Sequence, residues 1–92
     1  MDCYLVSYDI PDDRRRTKVA ALLEGYGQRV QFSVFEVWLN DRQRRELLAQ
    51  LEKQIKPNED SVRLYFLCAS CRQRVQTLGQ GNPPQPPKAI II

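Results

Sequence analysis

Ninety-two residues with 42% hydrophobic content make one small domain, too small to enclose a deep substrate cavity, so any site is shallow or shared between subunits. A formal charge of +3, from 14 basic and 11 acidic residues, is mild for a nucleic-acid binder; distribution matters more than the total, and a two-fold dimer doubles it. The absence of histidine removes the commonest general base and zinc ligand and excludes serine–histidine and cysteine–histidine mechanisms.

Residues 3 to 9 alternate Cys3, Leu5, Ser7 and Asp9 with Tyr4, Val6 and Tyr8. Both faces are largely apolar, which predicts a central strand covered on both sides, with Asp9 at its C-terminal end. Pro11 stops the strand, and Asp12 or Asp13 caps a helix carrying Val19, Leu22, Leu23 and Tyr26 at helical spacing. Gly25 and Gly27 close that helix. From Gln28 to Leu39 the chain reads as strand, too long for one, and a break near Gln31 to Ser33 divides it. Asn40 and Gln43 form a capping box for a second helix with the stripe Leu47, Leu48, Leu51 and Ile55, ended by Pro57 and Asn58. Val62, Leu64 and Phe66 alternate with Arg63, Tyr65 and Leu67 as a fourth strand.

Strand, helix, strand, strand, helix, strand predicts an α+β, ferredoxin-like β-α-β-β-α-β domain over residues 1–78, with both helices on one sheet face. The other face, lined by Tyr4, Val6 and Tyr8 or their neighbours, needs a cover, and a second copy makes the protein a homodimer. Residues 79–87 form a Gly/Pro-rich linker, and 88–92 a C-terminal strand expected to pair with a sheet edge, that of the partner subunit.

Asp9 is the sharpest candidate for chemistry. Asp12 and Asp13 already serve the capping role, so Asp9 is available to hold a metal ion. Mg2+ binds through few carboxylates plus substrate phosphate, and one Asp from each of two subunits suffices. Arg14, Arg15, Arg16 and Lys18 open the first helix, and Arg42, Arg44 and Arg45 the second. Cations are disfavoured at a helix N-terminus, and a polyanionic partner offsets that. Either cluster also reads as a solvated face. Cys68 and Cys71 have the spacing of a redox or zinc half-site, but one chain cannot complete a four-ligand site, and Cys68 at a strand end reads as a buried core thiol. Phe32, Phe35, Trp38, Tyr65 and Phe66, at strand spacing, read as core. Three cysteines, no recognisable signal peptide and no apolar stretch near the ~20 residues of a membrane span lead to the expectation of a soluble, cytoplasmic protein.

The chain resembles the Cas-two family of small CRISPR-associated adaptation proteins. The marks are Tyr8-Asp9-Ile10 followed by Pro11-Asp12-Asp13 and a basic helix start, then Gly27-Gln28-Arg29-Val30-Gln31-Phe32-Ser33-Val34-Phe35-Glu36, and a proline-separated terminal strand. The resemblance implies a ferredoxin-like homodimer whose two copies of Asp9 face across a cleft and bind one divalent cation, Mg2+ or Mn2+. It implies a metal-dependent endonuclease of RNA or DNA in spacer acquisition, with Asp9 as metal ligand and Tyr8, Arg16, Arg29 and Phe35 lining or supporting the cleft. Lys18 stands where some members have arginine, which keeps the charge and loses the bidentate fork. The alternative is a non-catalytic DNA-binding scaffold that bridges subunits of the Cas-one integrase, using the same surface. A third is a solitary toxin-like ribonuclease.

Overall fold

The alternating strand at the start of the chain is the centre of the sheet. In the computed structural model, which describes residues 1–81, β1 (Asp2–Asp9) lies between β3 (Val34–Leu39) and β4 (Ser61–Leu67), and β2 (Gly27–Gln31) forms one edge. Every neighbouring pair is antiparallel. With α1 (Asp13–Glu24) and α2 (Asp41–Gln54) in the crossovers, this is the expected β-α-β-β-α-β order. Phe32 and Ser33 make the turn between β2 and β3, and the pairing slips between Arg29 and Gln31. No Asn-Gly or Asp-Gly marks this turn, and neither turn residue has a positive φ; the bulge beside it adds local twist to β2.

Side chains alternate across β1, so the register fixes two faces. Tyr4, Val6 and Tyr8 share one with Phe35, Val37 and Leu39 of β3, and pack with Val19, Ala20 and Leu23 of α1 and Leu47 and Leu51 of α2. Burying a side chain such as Phe35 or Leu23, both 0% exposed, contributes about 1.5–3 kcal/mol. Leu48, expected on the α2 stripe, is instead exposed: a stripe of Leu47 and Leu51, one helical turn apart, already fills the contact. The opposite face carries Cys3, Leu5, Ser7 and Asp9 of β1, Val34, Glu36 and Trp38 of β3, and Arg63, Tyr65 and Leu67 of β4. A short α3 (Ala69–Gln73) reaches it through Arg72, whose guanidinium sits 4.7 Å from the centre of the Trp38 ring, and the segment after it, from Val75 to Gly81, lines a hollow together with Glu36. No periodic signal announces α3, because five residues are too few to show one.

Both caps follow their residues. Asp12 is the N-cap of α1, accepting from the Arg15 N–H at 2.8 Å, and Asn40 with Gln43 forms the capping box of α2. The linker expected at 79–87 and the strand expected at 88–92 fall mostly or wholly on residues 82–92, outside the described residues. Among the described residues no helix is long and apolar enough to cross a membrane.

Two positions tie the elements together. A Cβ on Gly27 meets the Glu36 carbonyl oxygen at 1.9 Å and the Val37 Cα at 2.6 Å, both backbone, so Gly27→Ala is expected to cost about 2–4 kcal/mol in a denaturant titration; an unchanged midpoint would contradict this close approach. Asp60, its side chain fully covered, accepts two hydrogen bonds from the Arg15 guanidinium at 2.7 and 3.0 Å and one from the Lys56 N–H at 2.9 Å. The Arg15 contact holds the Asp60 carboxyl below the usual carboxylate range, against the opposing effect of burial. Its folded value is depressed, so the contribution is full above the ordinary value of 3.8 and is lost as pH falls through the lower folded value. Asp60→Asn is therefore expected to lower stability at neutral pH and to flatten the loss of stability below about pH 4. Denaturant midpoints measured against pH check this, and parallel curves for the two proteins would contradict it.

Candidate functional site

Asp9 ends β1 opposite Ser61 of β4, exposed, and shares its face with Leu5 and Ser7. Among the described residues it enters none of the ion pairs. Its neighbour Tyr8 points to the other face, 3% exposed, with its ring centre 6.3 Å from that of Phe35. The two residues named together by the sequence thus serve opposite sides of one strand.

Tyr8 holds the β2–β3 turn to the end of β1. Its N–H donates to the Ser33 carbonyl at 3.1 Å and its hydroxyl to the Phe32 carbonyl at 3.4 Å. Arg16 reaches the same end from α1, donating to the Ile10 carbonyl at 2.9 Å, pairing with Asp13, and lying 5.9 Å from the centre of the Phe32 ring. Arg29 stands 5.2 Å from the centre of the Phe35 ring, a cation–π contact. Tyr8, Arg16, Arg29 and Phe32 line an open groove of about 410 Å3 beside α1. Tyr8, Arg16, Arg29 and Phe35 thus gather on the α1 side of the sheet, with Phe35 beneath the groove as core; Asp9, expected to share a cleft with them, lies at the same end of β1 on the opposite face.

The basic residues divide. Arg14 and Lys18 are exposed at the Asp9 end. Arg15, expected beside them as a phosphate contact, is turned to Asp60, Asp12 and Glu59, which raises its already high pKa and commits it to the fold. The second cluster begins after β3, and Leu39 pairs with Asp2, so Arg42, Arg44 and Arg45 lie at the other end of the sheet from Asp9. An eight-residue strand spans about 25 Å, so the two clusters stand well apart: antiparallel β1 and β3 send their following helices off opposite ends. Arg42 is paired with Glu46 at 3.0 Å, Arg44 stands 4.0 Å from Asp41, and Arg45 is exposed.

Three aromatic residues depart from their expected place in the core. Phe32 is 73% exposed, Phe66 57% and Tyr65 45%. Phe32 occupies the turn; Phe66 lies on β4, its ring centre 5.6 Å from that of Tyr4; Tyr65 lies on the face that α1 and α2 leave bare. Strand alternation tells which residues share a face but not whether a helix reaches them. Phe32 is the site residue that sequence reasoning missed, and its signal was position: it falls in the break between two strands, next to the Gln-x-Ser-Val-Phe run. Cys68 is likewise not a core thiol. It is the half-buried N-cap of α3, whereas Cys3 is the buried cysteine, its thiol pushed up to about 11 by burial and by nearby Glu36. Glu36 itself is raised by burial, and its Oε1 has no hydrogen-bond partner among the described residues.

Among the described residues no three histidine, cysteine, aspartate or glutamate side chains gather as a metal site. Asp9 offers one accessible carboxylate per chain. That donor suits a hard cation that keeps water and takes further oxygens from a second carboxylate and a substrate.

A family model described as CRISPR associated protein Cas2 matches residues 1–75. The CRISPR-associated endoribonuclease Cas2 1 of Chloroflexus aurantiacus is 51% identical over 90 residues, which cover 97% of each chain. In three dimensions the chain is similar to the crystal structure of Streptococcus pyogenes Cas2, with 36% identity, a TM-score of 0.76, and 84% of this chain and 99% of that one covered. It is also similar to a chain of a partial Cas6-RT-Cas1–Cas2 complex, with 34% identity, a TM-score of 0.74, and 85% and 91% covered. Together with the sheet order and the Tyr8-Asp9-Ile10 strand end, these matches show that the chain belongs to the CRISPR-associated protein Cas2 family.

Proposed function

We propose that this chain acts in CRISPR spacer acquisition in the cytoplasm, as a homodimer that hydrolyses phosphodiester bonds of RNA or DNA with a divalent cation held between the two copies of Asp9. The observation that carries the reading is the placement of Asp9 on the sheet face that α1 and α2 leave bare. That face also presents the partly buried Leu5 and Leu67 and the exposed Tyr65. A two-fold partner laid over it covers the apolar surface and sets two carboxylates near one axis. The Chloroflexus relative, named an endoribonuclease, supports cleavage of RNA.

The chemistry that Mg2+ or Mn2+ supplies in such a pocket is polarisation of a phosphoryl oxygen and acidification of a water. Each Asp9 carboxylate would provide one oxygen ligand to that cation. Arg16, fixed by the Ile10 carbonyl and Asp13, and Arg29, fixed on Phe35, present positive charge in the groove on the α1 side of the sheet, where they hold backbone phosphates flanking the one at the cation. Tyr8 positions the turn carrying Phe32.

A second reading, a non-catalytic scaffold between integrase subunits, draws support from a different observation. Basic helix starts stand at both ends of the sheet, about 25 Å apart, a spacing that suits a duplex crossing the molecule. The similar chain within a Cas1–Cas2 complex supports an integrase of the Cas1 type as partner.

Asp9→Asn separates the two. It is expected to lower Mg2+-dependent cleavage by about 100-fold or more while leaving duplex binding unchanged or slightly tighter, because an anionic charge is removed. Gel-resolved cleavage and filter binding on one preparation read both, and undiminished cleavage would reject the metal mechanism. Replacing Arg14 and Arg16 by alanine is expected to weaken binding and to reduce the salt slope by about 0.9 for each phosphate that is no longer neutralised. An unaltered slope would remove them from the interface.

A further inference from the structure

The proposed activity makes no use of Cys68 and Cys71, yet these two side chains meet. Their Sγ atoms are 3.0 Å apart, Cys68 Sγ accepts from the Cys71 N–H at 3.3 Å, and the Ser70 hydroxyl lies 3.2 Å away. Cys71 is exposed and Cys68 half-buried. Bond formation at about 2.05 Å requires only ~1 Å of further approach, within reach of side-chain rotation.

We propose that Cys68 and Cys71 form a dithiol site that reacts with low-molecular-weight disulfides and closes into a disulfide within one chain. Cys68 is the attacking group. Hydrogen bonding with Cys71 and then Ser70 holds its thiol down to about 7, while Cys71 is pushed up by Cys68. The thiolate, not the thiol, is the nucleophile.

The exchange balances in three steps. The Cys68 thiolate attacks one sulfur of the small disulfide, forming a mixed disulfide and expelling one thiolate. That thiolate takes the proton from Cys71. The Cys71 thiolate then attacks the Cys68 sulfur, the protein disulfide forms, and the second small thiolate leaves. Two protein sulfurs are oxidised by two electrons, and one small disulfide is reduced to one thiol and one thiolate, the latter taking from water the proton that Cys68 gave up on ionising.

The site stands where the chain leaves β4 and turns onto the face that α1 and α2 leave bare. Cys68 follows Leu67, and Cys71 precedes Arg72, whose guanidinium covers Trp38. Closure ties the strand end to the residue that carries this cover. Cys3 is the internal reference, buried to 1% exposure and with its thiol raised.

The test uses the full chain, first reduced, then equilibrated with oxidised and reduced glutathione in varied ratio, quenched with acid, alkylated and mapped by peptide mass. The expected product is two hydrogens lighter, with Cys68 joined to Cys71 in one chain and Cys3 still alkylated. Cys71→Ser is expected to stop at a stable glutathione adduct on Cys68, and Cys68→Ser to slow the first step by about tenfold or more. No linkage at any ratio, linkage between chains or to Cys3, or thiols that react only after a chelator strips a bound metal would each overturn the proposal.

Discussion

The alternation of β1 is the constraint from which the rest follows. Because consecutive residues of a strand face opposite ways, Tyr8 enters the core under α1 while Asp9 emerges on the bare face. Tyr8 then fixes the β2–β3 turn through its N–H and hydroxyl, and that turn carries Phe32 to Arg16. A slip of one residue in the pairing of β1 would bury a carboxylate and expose a tyrosine. The register is held on both sides, by β3 from Asp2 to Ser7 and by β4 from Cys3 to Asp9.

Charge is allotted between folding and function along a single helix turn. Arg15 is consumed by Asp60, Asp12 and Glu59 and anchors α1 to the segment before β4. Arg16 is half-committed, fixed in direction by Asp13 and the Ile10 carbonyl with its plane toward Phe32. Arg14 and Lys18 are exposed. An arginine that is already oriented loses less freedom when it meets a phosphate. Consecutive arginines at a helix start therefore differ in role, and burial of the opposing carboxylate decides which is structural.

The fold was legible where periodicity and end signals agree. The Asn40–Gln43 box, the Asp12 cap and the split near Phe32 and Ser33 could all be read from residue type and spacing. The grouping of Tyr8, Arg16, Arg29 and Phe35 came from resemblance to a family, because four residues spread over several elements have no common spacing in the chain. What escaped was long-range. Nothing near Arg15 in sequence announces Asp60, 45 residues away. The separation of the two arginine clusters depends on strand direction, and the exposure of Tyr65 and Phe66 depends on which part of the sheet the helices cover. α3 is too short to show a period, and it carries both the cover over Trp38 and the thiol pair.

In the proposed mechanism two chains together hold one cation through Asp9. Titration of the protein with Mn2+, followed by the electron paramagnetic resonance of the free ion, counts bound ions per chain directly. The expected result is one tightly held Mn2+ for every two chains, absent in Asp9→Asn at equal concentration. One ion per chain, or binding that survives the substitution, would contradict it.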